Sequence, residues 1–169
     1  MARVLRKDAD LALTYRVAPP KGCTVHHDSA APLVALVRQG HPLARRRSVT
    51  VADVAACPLL LNERGSTSRL IFDMACSLRG LACEPTVVGS SLAVLLPMVR
   101  EREVLMAGYL TAAHLVAQGD LVAVPFARGE VPPRRLQLLS LEGRTLPALA
   151  QQCSRAIVEA IREAAPSRR

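Results

Sequence analysis

The sequence predicts an α/β fold around a mostly parallel sheet, and three observations support this prediction. Short apolar segments alternate with segments in which apolar residues recur at helical spacing. The connections between them are short and rich in glycine, proline and hydroxyl residues. Half of the 169 residues are hydrophobic, which is enough for a folded core and argues against a disordered chain. Alternation of this kind is typical of parallel strands that are connected through helices.

In the first half of the chain, residues 10–15 predict a short strand, which a proline- and glycine-containing loop follows. Residues 32–37, PLVALV, predict a second strand, which is buried. A short helix is expected after Thr50, because the Thr50 hydroxyl and Asp53, three residues later, can form a capping box. Leu59–Leu61 are too few for a helix and predict another buried strand.

The second half begins with a predicted helix that ends at Gly80, a residue suited to a helix C-terminus. Its expected apolar stripe consists of Leu70, Ile71, Met74, Ala75 and Leu78. After a strand at residues 85–88, we expect a helix from Leu92 to about Arg102 with a kink at Pro97. The remaining predicted elements are a strand at 104–110, a short helix, strands at 121–126 and 135–141, and a helix from near Pro147 with an apolar face of Leu149, Cys153, Ala156, Ile157, Ala160 and Ile161.

Composition narrows the classes of function. The net charge of +8 attracts polyanions, but the arginines that carry it are scattered along the chain. The chain has two phenylalanines, two tyrosines and no tryptophan, which argues against single-strand nucleic-acid binding by base stacking. Five cysteines without a C-x-x-C pair predict reduced thiols, no metal site and no cofactor. With no apolar run of the roughly 20 residues that span a membrane, and no signal-peptide pattern, we expect a cytoplasmic protein.

No group of residues predicts catalysis. The sequence contains no nucleophile elbow, no phosphate-binding loop and no dinucleotide-binding glycine pattern. His26 and His27 are adjacent, would point to opposite faces of a strand, and are better explained as solvent-facing or hydrogen-bonded side chains than as metal ligands. We therefore expect a binding protein and not an enzyme.

Hydroxyl side chains follow two of the predicted strands, where helices begin. Ser66, Thr67 and Ser68 come after the strand that ends at Leu61, and Ser90 and Ser91 follow the strand at 85–88. Free N–H groups and hydroxyls at helix N-termini can hold a carboxylate, and ligands of open α/β sheets collect at the carboxyl ends of strands. Ordinary N-capping explains any one of these residues equally well. The predicted ligand contacts for a small anion are Ser66, Thr67, Ser68, Ser90, Ser91, Tyr15 and Gly108.

Several segments, in order, resemble the effector-binding domain of LysR-type transcriptional regulators. They are DADLALTY, LVALVRQGHPLARRRSVTVADVAACPLLL, the Gly-Ser-Thr loop with RLIFD, and GDLVAVPF, so that the resemblance covers about residues 5–162. It implies a type 2 periplasmic-binding-protein fold, in which two α/β lobes enclose a small-molecule cleft. Residues 1–24 and 123–169 would form part of the first lobe, which is incomplete, and residues 25–122 would form the second.

The chain departs from the family pattern in two places. Nothing precedes LRKDADLAL that could form the winged helix-turn-helix or the opening part of the first lobe, so we expect an N-terminally truncated regulator. In VREREVLMAGYL, Glu101, Arg102 and Glu103 replace the usual glycine-rich turn, and Gly108 with Tyr109 replaces the usual end. The resemblance further places the arginines of HPLARRRS, residues 41–48, in an exposed turn that does not read DNA.

The implied function is effector sensing by a regulator that contacts DNA through a reader domain missing here. Its expected partners are a small anionic effector such as a carboxylate, and further copies of the chain. A solute-binding protein of the same fold is one alternative, and a deaminase or hydrolase, which would need catalytic residues, is another. A third alternative is a truncated regulator without function, because uncovered strand edges and apolar helix faces favour pairing or aggregation.

Overall fold

The computed structural model describes residue 4 and residues 6–16, 21–100 and 102–164, and Pro19, Pro20 and Glu101 lie outside this part. Contacts divide the chain into unit 1, Met1–Ala31 with Pro133–Arg169, and unit 2, Pro32–Pro132. The strands are β1 (Ala12–Arg16), β2 (Cys23–Ala30), β3 (Leu33–Arg38), β4 (Leu59–Asn62), β5 (Pro85–Gly89), β6 (Val104–Gly108), β7 (Leu121–Pro125) and β8 (Arg135–Leu141). The helices are α1 (Val51–Ala55), α2 (Thr67–Ser77), α3 (Leu92–Leu95), α4 (Tyr109–Val116) and α5 (Ala148–Ala164).

Unit 1 contains a three-stranded sheet in the order β1-β8-β2, with both pairs antiparallel. The expectation of parallel strands is wrong for this sheet. A short apolar run predicts a strand, but it does not predict whether the strand that pairs with it is parallel or antiparallel. The polar strand β2 was not predicted, and a bulge between Val25 and His27 interrupts its pairing with β8. Since β2 pairs with β8, it belongs to unit 1, and the units divide at later residues than the lobe boundaries that we expected at residues 25 and 122.

The five strands of unit 2 lie in the order β5-β4-β6-β3-β7. β4 is parallel to β5 and β6, whereas β3 is antiparallel to β6 and to β7. Four of the five strands therefore run in one direction, as a mostly parallel sheet requires. β3 and β4 are apolar at nearly every position because alternate residues enter two different hydrophobic clusters, one on each face of the sheet.

Helix α2 buries a different face from the one that its apolar stripe predicted. Ile71 and Ala75 are buried as expected, but Leu70, Met74 and Leu78 are 55%, 47% and 78% exposed. The buried face is completed by Phe72 and Cys76, which join the cluster between α1, α2 and the sheet. Helix α2 carries apolar residues on more than one of its own faces. The periodicity of the sequence alone could therefore not identify the face that packs against the core.

The predicted ends of two helices are confirmed. Leu81 N–H donates to the Cys76 carbonyl at 3.0 Å, and Gly80 adopts a left-handed φ of 65°, which together terminate α2. At α1, the Thr50 N–H donates to Asp53 Oδ2 at 2.9 Å and the Asp53 N–H to Thr50 Oγ1 at 3.0 Å, which is the expected capping box.

The helix expected from Leu92 to Arg102 is wrong in length. α3 ends at Leu95, and a 3₁₀ segment, Leu96–Met98, follows it. Pro97 lies in the first turn of this segment, where a backbone N–H has no helical partner in any case, so the chain stops the α-helix instead of bending it. Leu95 and Val99 are both buried.

The arginines of residues 45–47 are exposed, as predicted. They begin at the last residue of a short 3₁₀ segment, Pro42–Arg45. His41 caps this segment, and its Nδ1 accepts a hydrogen bond from the Leu43 N–H at 3.1 Å. Arg46 forms an ion pair with Asp53 at 2.7 Å, which ties this connection to α1.

Helix α5 is largely uncovered. Of its expected apolar face, Ile161 is buried and Ile157 half-buried, whereas Leu149 is 72% exposed and Cys153, Ala156 and Ala160 are also exposed. A search of the described helices for one of sufficient length and apolar character to cross a bilayer found none.

Candidate ligand-binding site

Three parallel strands of unit 2 end at one edge of the sheet, and a helix begins after each of them. α2 follows β4, α3 follows β5, and α4 starts directly after β6, with β4 lying between the other two strands. Asn62 and Gly89 are register partners at this edge, where the Glu63 N–H donates to the Gly89 carbonyl at 3.2 Å. The two hydroxyl-rich turns that the sequence singles out therefore begin from neighbouring positions of the sheet.

At the α2 N-terminus, three polar side chains form a hydrogen-bonded chain. Asn62 Nδ2 donates to Ser68 Oγ at 3.2 Å, and Ser68 Oγ lies 3.3 Å from Ser66 Oγ. Ser66 Oγ also accepts the Arg69 N–H at 3.2 Å, so that Ser66 is the N-cap of α2. Capping thus accounts for Ser66, while the buried Ser68 hydroxyl links the cap to the end of β4. Thr67 is the half-buried first residue of the helix.

Arg69 is a buried cation beside this turn, but its charge is already matched. Its Nε lies 2.7 and 2.8 Å from the two Asp73 carboxylate oxygens, and its Nη1 donates to the Asn62 carbonyl at 3.5 Å. Arg69 therefore holds α2 against the end of β4 and is not an available counter-charge for a ligand.

The other two helix N-termini differ in their caps. Ser91 Oγ accepts the Ala93 N–H at 3.2 Å and caps α3, while Ser90 and Ser91 are both exposed. Gly108 is the buried N-cap of α4 and provides no side-chain cap, and the Tyr109 N–H donates to the Pro32 carbonyl at 2.9 Å. Among the described residues, the α4 N-terminus is therefore the one at this edge without a side-chain cap.

The remaining predicted contact, Tyr15, lies on β1 in unit 1. The Arg134 guanidinium carbon is 4.1 Å from the centroid of the Tyr15 ring. Arg134 is 4% exposed, its Nε donates to the Ala31 carbonyl at 2.8 Å, and its Nη2 has no hydrogen-bond partner among the described residues. Burial lowers the pKa of the Arg134 guanidinium, and the nearby Tyr15 opposes this effect.

Sequence reasoning missed Arg134. A signal was present, because Arg134 and Arg135 stand between Pro133 and the apolar strand segment LQLL, where a charged side chain has to be accommodated at the start of a buried strand. The two arginines differ in the structure, since Arg135 forms an ion pair with Asp28 and Arg134 has no carboxylate partner among the described residues.

Two grooves of unit 2 lie at the opposite edge of its sheet. One, of about 670 Å³, is lined by Arg38, Pro97, Arg100, Arg102 and Glu103. A second, of about 590 Å³, shares Arg38 and Arg102 and extends to Gly40 and Asp120. Neither groove is lined by the predicted serines or by Thr67.

Comparison with known proteins gives a consistent result. A family model described as the LysR substrate binding domain matches residues 1–162. The fold is similar to OxyR of Corynebacterium glutamicum, as its C206 mutant, with a TM-score of 0.70 and 18% identity over 96% of this chain and 52% of that one. It is also similar to the CcmR regulatory domain of Synechocystis PCC6803 in complex with 2-PG, with a TM-score of 0.71 and 20% identity over 94% of this chain and 76% of that one.

A third similar structure is the effector binding domain of QuiR in complex with shikimate, with a TM-score of 0.68 and 16% identity over 94% of this chain and 72% of that one. No curated protein matches the sequence. The chain thus spans about half of the OxyR chain and about three quarters of the two separate domains. At these identities, the structural similarity concerns the fold.

Proposed function

Because this chain belongs to the LysR substrate binding domain family, whose model matches residues 1–162, we propose that it senses a small effector for a DNA-binding transcriptional regulator. Its two α/β units have the type 2 periplasmic-binding-protein-like fold of the similar regulatory domains. We assign DNA reading to other parts of such a regulator and propose no catalytic role for this domain. A regulator of this kind acts in the cytoplasm, where it meets DNA.

The observation that carries this proposal is the shared edge at which β4, β5 and β6 end and three helices begin. N–H groups at a helix N-terminus and the helix dipole favour an anion. Most of this effect belongs to α2 and α4, since α3 has four residues and a correspondingly small dipole. In unit 2, the proposed contacts remain Ser66, Thr67, Ser68, Ser90, Ser91 and Gly108. Tyr15 belongs to unit 1 and remains a separate proposed contact.

An effector with a carboxylate or a similar oxyanion fits this arrangement best. The similar QuiR and CcmR domains are described in complexes with shikimate and 2-PG, so the fold accommodates small molecules. Hydroxyls such as that of Ser68 would add hydrogen bonds to an anion that the α2 and α4 N-termini attract.

Thermal unfolding in the presence of small organic acids and their uncharged amides tests this proposal. We expect at least one acid to raise the melting temperature and its amide to have a smaller effect, because ligand binding to the folded state stabilises it by mass action. Ser68→Ala should reduce the shift, whereas Ser77→Ala, on the exposed far end of α2, should leave it unchanged. No shift with any acid or amide would contradict the sensing function.

We further propose that the regulator is a homo-oligomer and that α2 and β5 form a contact between copies. The exposed Leu70, Met74 and Leu78 recur every four residues along α2. Val88, on the same sheet face as α2, is also exposed, on a strand with an unpaired edge. A stripe of this kind suits a second copy of the same surface, as in an isologous dimer.

Leu78→Lys tests this contact, because a charge is costly to bury in an apolar interface. We expect the variant to be monomeric at concentrations at which the wild type is a dimer in analytical ultracentrifugation. Leu149→Lys is the matched control, since Leu149 is an equally exposed leucine on α5. A monomeric wild type, or an unchanged mass for Leu78→Lys, would contradict the proposed contact.

A further inference from the structure

Arg134 is a buried cation of unit 1 that has no counter-charge among the described residues. The three aspartates of this unit are each paired with a different arginine: Asp8 with Arg6, Asp10 with Arg144 and Asp28 with Arg135. The three described glutamates of the unit, Glu142, Glu159 and Glu163, have exposed side chains. No carboxylate of the described residues therefore balances the charge of Arg134, a residue that is only 4% exposed.

Such an arrangement is unfavourable for the stability of the folded domain. A buried charge is normally retained when a partner of opposite charge and further hydrogen bonds offset its desolvation. The contacts of Arg134 with the Tyr15 ring and the Ala31 carbonyl offset part of this cost, since an aromatic face and a carbonyl oxygen both attract a cation. Neither contact neutralises the charge.

The same two contacts fix the orientation of the guanidinium. Its Nε donates to the Ala31 carbonyl at 2.8 Å and its central carbon lies 4.1 Å from the centroid of the Tyr15 ring, while Nη2 has no hydrogen-bond partner among the described residues. A guanidinium that is fixed in this way presents its remaining N–H groups in the planar fork that binds two oxygens of a carboxylate or phosphate.

We propose that Arg134 is the residue that selects an anionic effector, by donating from Nη2 to a carboxylate or phosphate group of the ligand. This inference rests on the proposed sensing function and identifies the class of its ligand. Nη2 is covered in the structure, so a neighbouring side chain has to move when the anion binds. Tyr15, which is half-buried and stacked on the guanidinium, is the described neighbour that we expect to move.

The sequence provides a direct probe of this movement. Tyr15 and Tyr109 are the tyrosines of the chain, and it has no tryptophan. In a Tyr109→Phe variant, intrinsic tyrosine fluorescence therefore reports on Tyr15. Titration of this variant with inorganic phosphate, succinate or benzoate should change its emission, and the uncharged succinamide and benzamide should not. A comparison of the fluorescence change with phosphate and with the two carboxylates shows which kind of oxyanion binds.

Arg134→Met in the same background removes the charge and retains a long apolar side chain. We expect it to abolish the fluorescence change and to weaken the apparent affinity for the oxyanion roughly tenfold or more. Without added anion, its melting temperature should be equal to or higher than that of the parent, because an uncompensated buried charge has been removed. Arg134→Lys, which keeps the charge without the planar fork, should retain part of the anion response.

Three results would overturn the inference: an anion response that survives Arg134→Met, a melting temperature that falls in Arg134→Met without ligand, or a parent protein that responds to none of the oxyanions. Failure of the sensing function itself looks different, since then neither charged nor uncharged small molecules stabilise the wild type. Stabilisation by an uncharged ligand with no response to oxyanions would leave the sensing function intact and reject the role of Arg134.

Discussion

Gln137 lies in the middle of β8 with a fully buried side chain, and neither amide atom has a hydrogen-bond partner among the described residues. An unpaired buried amide costs about 1–3 kcal/mol. Gln137→Met has nearly the same shape without the polar atoms, so we expect it to raise the free energy of unfolding by about 1 kcal/mol in urea denaturation. Gln152→Met, at an exposed position of α5, is the control, and a loss of stability in Gln137→Met would contradict the prediction.

Asp53 makes stability depend on pH in the acid range. Its hydrogen bonds with the Thr50 backbone and hydroxyl hold the pKa of the carboxyl below its ordinary value of 3.8, although burial raises it, and Arg46 lowers it further. Because the pKa is lower in the folded state, the contribution is complete above pH 3.8 and is lost as the pH falls from 3.8 through the folded value.

Asp53→Asn should therefore cost about 1 kcal/mol near neutral pH, and its difference from the wild type should shrink below about pH 3.8. Denaturant unfolding at a series of pH values measures this difference. Thr50→Ser keeps the hydroxyl and should follow the wild type at each pH. A difference between Asp53→Asn and the wild type that does not change with pH would show that the carboxyl contributes no acid-sensitive stability.

At the residue scale, contacts between residues close in the sequence could be predicted, whereas contacts between residues far apart in the sequence could not. The capping box of Thr50 and Asp53 and the terminating Gly80 depend on residues within a few positions of each other, and both were predicted. The environment of Arg134 depends on the Ala31 carbonyl, 103 positions away, and on Tyr15 in another strand. No local pattern of residues contains that information.

Among the elements, α2 offers a matched test of which face is packed. Leu70 and Ile71 are adjacent and of equal size, yet Leu70 is mostly exposed and Ile71 is buried. Ile71→Ala should cost roughly 2–4 kcal/mol, because it leaves a cavity beside Phe72, whereas Leu70→Ala should cost less than about 1 kcal/mol. Urea denaturation of both variants at a concentration at which the protein is monomeric makes the comparison. Equal costs would show that Leu70 is packed as the sequence pattern predicted.

The wrong predictions at the element scale have different physical causes. The apolar stripe of α2 combines core residues with residues that we assign to a contact between copies, and an apolar pattern does not separate the two. β2 is polar, so no apolar run marks it in the sequence, and its partner strand β8 lies more than a hundred residues away. Pro97 was expected to bend a helix, but a 3₁₀ turn accommodates it at lower cost.

At the scale of the whole molecule, the two units differ in how they are stabilised. Both hydrophobic clusters consist of unit 2 residues and lie on the two faces of its sheet, with β3 buried from Leu33 to Val37. In unit 1, β1 and β2 are edge strands, Leu13 and Val25 are exposed, and most of the apolar face of α5 is uncovered. Apolar burial is the main stabilising contribution, so unit 2 is expected to be the more stable unit.

Hydrogen exchange followed by mass spectrometry tests this difference in the intact chain. The slowest amides should lie in β3, β4 and β6, since these strands are paired on both sides and buried on both faces. Amides of β1 and β2 should exchange through openings of lower free energy, with β8 the most protected strand of unit 1 because it is its central strand. An oxyanion that binds at Arg134 should slow exchange in β1 and β8 more than in β3, because it supplies the missing counter-charge within unit 1. Equal protection of all eight strands would mean that the chain unfolds as one cooperative body, and the assignment of stability to unit 2 would be wrong.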